Sequence, residues 1–224
     1  MEGFSFLLRM IYLHQNINPL NTNTTTLPAI AIRSVGTGLF MMSVFTGIWS
    51  GIAYGAGLSG SPYRWMLLVF LICMITFLIQ GIRYFGIARK YPAIPSEEEA
   101  AEGKKMGMWF GIIFGAEGLF IFLGVNLVNR LGHTDLIIPV IALVVGLHFY
   151  PLGRIFKRKI DYWLATWTTG VAVLGILFSL NKTFSFQAIS AFVGVGVAIA
   201  TSCYGWYMIN YGKRMINANP PGPV

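Results

Sequence analysis

Six apolar stretches, each close to the length needed to cross a bilayer, dominate this 224-residue chain. A spanning helix takes about 20 predominantly apolar residues. The runs Ser34–Tyr54, Arg64–Ala88, Met106–Asn129, Asp135–Phe156, Tyr162–Leu180 and Gln187–Tyr211 meet that requirement. They do not alternate in the roughly ten-residue units of a membrane barrel, so helices must satisfy their backbone polar groups. Composition agrees. Hydrophobic residues make up 55% of the chain and charged residues 11%, against about 25% charged in a soluble domain. The expected fold class is all-α: a polytopic integral membrane protein of six transmembrane helices. Short links join the first span to the second, the third to the fourth and the fifth to the sixth, which predicts three antiparallel hairpins.

Basic residues predict the orientation. With the N-terminus inside, thirteen Lys and Arg fall on the cytoplasmic side, in groups such as Arg83/Arg89/Lys90 and Arg154/Lys157/Arg158/Lys159. Only Arg64, Arg130 and Lys182 fall on the other. This positive-inside bias predicts both termini in the cytoplasm, in a cell or inner membrane. Residues 1–30 then form a cytoplasmic N-terminal segment, 31–212 the transmembrane domain and 213–224 a cytoplasmic tail. Gly3–Leu13 is apolar but interrupted by Arg9 and followed by no small-residue cleavage site, so it reads as an interfacial segment and not a signal peptide. Gln15–Thr26 reads as a loop. The longest connection holds Pro92, Pro95, Glu97, Glu98, Glu99, Lys104 and Lys105, whose charges suit the solvated start of the third helix.

The net charge of +8 follows from this topology and implies no nucleic-acid partner; the expected partner is the lipid bilayer. Cys73 and Cys203 both lie in apolar runs, where they read as packing residues. Two cysteines build neither a disulfide framework nor a four-ligand zinc site, and no metal or cofactor is expected.

Inside lipid, helices associate through close approach of small residues. Gly47, Gly51 and Gly55 recur every four residues in the first span, and Gly107, Gly111 and Gly115 in the third. The sixth has Gly194, Ala198 and Ser202. Such faces are expected to pack against other helices of the chain, with a homo-oligomer seam as the alternative. Leucine at Gly111 is then expected to disrupt folding or assembly. Trp49, Trp65, Trp109, Trp163 and Trp167, with Tyr54, Tyr63, Tyr84 and Tyr162, fall mostly near span ends, as interfacial anchors do.

An ionisable group deep in a span is a functional candidate, because charge there costs at least about 2.5–3.5 kcal/mol. Glu117 is the one acid well inside an apolar run, eleven residues into the third span, or roughly 16 Å at 1.5 Å per residue. His148 answers it from the fourth span. The two residues are equidistant from the short link between their helices, so an antiparallel hairpin puts them at equal depth. Lipid disfavours the charged form of each, while attraction favours the charged pair. A facing pair can therefore share one proton, which suits a relay. The structural alternative is a hydrogen-bonded packing carboxyl, and a histidine donating to the carbonyl that Pro151 frees at Leu147. Gln80, Asn126, Tyr204 and Asn210 are secondary cavity candidates, with Asn126 also read as an interhelical donor. Arg83 and Arg154 lie near cytoplasmic ends, where they can snorkel to the headgroups.

Enzyme chemistry finds little support: there is no G-x-S-x-G, no H-E-x-x-H and no glycosidase-like acidic pair. His14, His133 and His148 lie in different regions, which denies haem two axial ligands at matched depth. The first reading is a small proton-linked transporter or channel-like permease. The second is a non-transporting accessory, immunity or scaffold protein, and the third an intramembrane lipid-modifying enzyme.

Overall fold

A computed structural model describes residues 27–220 apart from 57, 61 and 92–96. The apolar segment Gly3–Leu13 and the loop Gln15–Thr26 lie outside the described residues, as do Pro92 and Pro95. The described residues form six long helices: α1 (Ala29–Gly55), α2 (Leu67–Ala88), α3 (Glu97–Arg130), α4 (Ile137–Phe156), α5 (Lys159–Leu180) and α6 (Phe186–Ala218). All six are long and apolar enough to cross a membrane.

The elements begin and end for local reasons. Pro28 precedes α1 in extended conformation, and the Ser185 side chain caps α6 by accepting from the Ala188 amide. The helix α3 starts at Glu97, nine residues before its apolar run, so the Glu97–Glu99 and Lys104–Lys105 charges occupy its first turns. The helix α6 runs to Ala218, beyond the end of its apolar stretch at Tyr211. Pro151 does not interrupt α4.

Side-chain meetings give the directions of the helices. Gly36 approaches Phe85 and Gly81, while Gly47 approaches Met74, so α1 and α2 run antiparallel. The same logic pairs α5 with α6 through Gly175–Val193 and Gly196–Val171. It also pairs helices that are not consecutive. Gly194 of α6 lies against the Trp49 carbonyl and Ala53 of α1, Thr46 bonds Thr201 at 2.9 Å, and Gly212 reaches Val35. The α1–α6 interface is as extensive as that of α1 with α2, and α4 packs more closely on α5 than on α3.

Hydrogen bonds across helices reinforce this core. Ser43 donates to the Met74 carbonyl at 2.9 Å, Tyr84 to the Ile209 carbonyl at 2.8 Å, and the Trp167 indole to the Gly196 carbonyl at 2.8 Å. Ser179 donates to Asp135, tying the end of α5 to the start of α4. A buried carbonyl can accept a second hydrogen bond without leaving its helix, so these ties fix helix rotation at no loss of backbone pairing.

Several sequence expectations need correction. Trp49 and Tyr84 are not interfacial anchors: both are buried in the core. Trp65 and Trp163 stand largely exposed on the outer face, as anchors would. Cys73 is buried but Cys203 is exposed. The Gly194, Ala198 and Ser202 face of α6 is buried, but four glycines of the other two series do not pack within the chain. Gly51, Gly55, Gly111 and Gly115 have nothing within 4 Å of where a Cβ would stand, whereas Gly47 meets Met74 and Gly194 meets the Trp49 carbonyl and Ala53. The reason is helix rotation. The face of α3 that meets α4 carries Gly124, against Val140, and the Gly111/Gly115 face points away. Gly107 is half-buried.

Candidate functional site

The site lies between α3 and α4. These helices run antiparallel, with Gly124 beside Val140 and Glu117 beside His148. The absence of a Cβ at Gly124 lets the helices close there. His148 Nδ1 stands 3.5 Å from Glu117 Oε1, with side chains only 8% and 12% exposed. That separation suits an ion pair or a shared proton but is long for a hydrogen bond, and Nδ1 makes no hydrogen bond of good geometry. Aromatic rings hold the imidazole. Phe114 meets it edge-on at 5.5 Å between centroids, and Phe149 lies 4.2 Å away.

The pair forms part of the wall of two spaces. A cavity of about 300 Å³ runs between α1, α3, α4 and α6. Its wall is apolar apart from Glu117, His148, Arg158, Thr201 and Tyr204. On the opposite side of the α3–α4 pair, a groove of about 480 Å³ also reaches Glu117 and His148, which are its only polar side chains. Exposed Phe120, Leu123, Leu127 and Leu147 line that groove, so it belongs to the outer face of the bundle. Glu117 and His148 therefore stand in the partition between an internal cavity and the outer surface. A larger groove of about 980 Å³ between α2, α5 and α6 has no titratable side chain in its wall.

Arg158 is the site residue that sequence reasoning missed, because it was counted among the cytoplasmic charges. It is buried, and its Nε donates to Asp161 Oδ2 at 2.9 Å. The local chain explains its inward aim. At the end of α4, Lys157 adopts the left-handed conformation, with φ 51°, and the Arg158 amide bonds the Gly153 carbonyl at 3.2 Å. This terminates the helix as a left-handed cap does. Arg158 is then extended, and α5 begins with Asp161 in its first turn, where an acid suits the helix dipole. The guanidinium lies over the rings of Phe156 and Tyr204, 4.9 and 5.5 Å from their centroids. Two opposite charges, one bond and two aromatic faces make this a compensated buried pair. The signal in the sequence was the Arg-x-x-Asp spacing at a helix start, which puts both side chains on one face.

The secondary candidates divide. Tyr204 is buried, lines the cavity and stands close to the Asp161 carboxylate. Gln80, Asn126 and Asn210 line none of the three spaces. Asn126 is exposed, and its amide donates to the Phe122 carbonyl of its own helix at 2.7 Å, so it is not an interhelical donor. Asn210 is exposed. Arg83 and Arg154 are also exposed.

Chemically, the arrangement offers one carboxyl and one imidazole able to pass a proton between them, at the edge of an apolar cavity. The Arg158–Asp161 pair adds no net charge to it. No protein family, curated protein or solved structure matches the chain at a significant level.

Proposed function

We propose that this chain is a multi-pass membrane transporter, with both termini cytoplasmic, which couples the passage of a hydrophobic solute to a proton carried by Glu117 and His148. The observation that carries this reading is the 3.5 Å approach of the two side chains in the wall of the internal cavity. Ionisable groups are retained at membrane depth mainly where a proton, ion or substrate uses them. The apolar wall suits a hydrophobic solute and not a column of water, which argues against a channel for hydrophilic ions. Neither the accessory reading nor the lipid-enzyme reading has a comparable observation behind it. The thirteen-to-three distribution of basic residues supports the orientation.

Proteoliposomes loaded with a pH-sensitive dye test the coupling. With a panel of hydrophobic solutes added outside, wild type is expected, for at least one of them, to dissipate an imposed pH gradient at least tenfold faster than Glu117→Gln. Equal rates for wild type, variant and empty vesicles would sink the proposal in favour of a non-transporting role. For orientation, a cysteine introduced at Asn219, in a chain with Cys73 and Cys203 replaced, is expected to resist an impermeant thiol reagent added to intact cells. Rapid external labelling would reverse the topology.

A further inference from the structure

The charges facing Glu117 determine what its cavity can accept. From α4 comes His148, from the turn before α5 comes Arg158, and from α6 come Thr201 and the phenol of Tyr204. The helix α1 contributes no titratable group to the cavity, and the outer groove contributes none beyond the pair itself. Arg158 is matched by Asp161 at 2.9 Å, so this second pair carries no net charge. The cavity therefore takes the charge of Glu117 and His148 alone. With one proton between them the pair is neutral, and without it the pair is −1. A monovalent cation replaces that proton with no change in total charge. An anion would require a second proton on the pair, or the opening of the Arg158–Asp161 bond.

The wall decides which cation. A compact inorganic cation needs about six oxygen ligands in place of its water, and this cavity offers one carboxylate, two hydroxyls and an imidazole. A large ion with delocalised charge is weakly hydrated and needs no such shell. Phe45, Trp49, Phe110, Phe114 and Phe149 all line the cavity, and aromatic faces attract organic cations through their quadrupoles. The volume, about 300 Å³, is at the lower end for pockets that take drug-sized ligands, about 300–1,000 Å³.

We infer that the internal cavity binds a hydrophobic, monovalent organic cation in exchange for the proton of the Glu117–His148 pair. The inference rests on the proton-linked reading above and names its substrate class. One cation enters as one proton leaves the Glu117 carboxyl or its histidine partner for bulk water. The groove on the outer face gives the same pair an approach from the bilayer, where such cations concentrate.

Two probes of matched shape and opposite charge, tetraphenylphosphonium and tetraphenylborate, test this on the full chain purified in detergent. Tetraphenylphosphonium is expected to bind at least tenfold more tightly than tetraphenylborate. Its binding should release close to one proton in weakly buffered solution and weaken as pH falls. Glu117→Gln should lose tenfold or more in affinity and release no proton. If that variant does not fold, the pH dependence and proton count of wild type carry the test. Equal or tighter binding of the borate would overturn the inference, as would phosphonium binding that ignores pH. If neither ion binds while proton flux still depends on Glu117, the substrate class is wrong and proton coupling stands. If the phosphonium binds with proton release but no flux occurs, the site is right and transport fails.

Discussion

In α1, 61% of the most apolar 18-residue stretch is buried against the rest of the chain, and in α3 only 6%. Both helices carry glycines every four residues, yet those series have little to do with the difference. The burial of α1 comes from its position between α2 and α6, where Gly194 and Gly212 of α6 admit its backbone and side chains. The α3 helix packs mainly on α4 and stands apart from the α1–α6 core, and the space left between them is the cavity that holds Glu117. Small residues permit close approach but do not choose a partner. The choice belongs to whichever helix has complementary bulk and a polar tie, as Ser43 and Thr46 have. The core side holds the bundle together, and the loosely packed side carries Glu117, the one acid among the described residues that lies well inside an apolar run.

The largest effect that would sharpen this contrast lies where the core borders the cavity, at Asp161. Asp161→Ala leaves Arg158 buried and uncompensated, and breaking such a pair costs about 3–5 kcal/mol. Thermal unfolding in detergent should show a collapse of stability, with the double replacement Arg158→Met/Asp161→Leu recovering most of it. A stable single variant would mean that water reaches the guanidinium.

Gly194→Val comes next. Its Cβ would stand 2.8 Å from the Trp49 carbonyl and 2.9 Å from the Ala53 amide, and backbone cannot step aside as a side-chain end can. A loss of about 1–3 kcal/mol is expected, as for overpacked cores. Unchanged melting would mean that α1 and α6 are not in contact as described.

Tyr84→Phe removes the 2.8 Å bond to the Ile209 carbonyl and should cost about 1 kcal/mol. The carbonyl keeps its helical partner, so a larger loss would point to a wider polar network behind Tyr84.

The smallest effect is expected at Gly111→Leu, whose Cβ would meet nothing within 4 Å. Its melting temperature should stay within the equivalent of about 0.5 kcal/mol of wild type. This reverses the expectation drawn from glycine spacing alone. Destabilisation comparable to Gly194→Val would break the comparison, because α3 would then be covered by a second copy of the chain.

Much of this was written in local order along the chain. Apolar length alone specifies six helices long enough to cross a bilayer, since unpaired backbone groups are intolerable in hydrocarbon whatever the neighbours are. The short link between the third and fourth spans likewise places Glu117 and His148 at one depth, because hairpin geometry depends only on residue count. Rotation is different. Whether Gly111 or Gly124 faces a neighbour, whether Trp49 anchors or packs, and whether Arg158 points to water or into the bundle each depend on which helices meet. In lipid, apolar residues gain little by facing inward, so hydrophobic pattern does not mark the inner face as it does in water. That face was decided by the tertiary structure, through steric fit at Gly194 and Gly212 and bonds such as Tyr84 to Ile209. The left-handed turn at Lys157 did the same for Arg158.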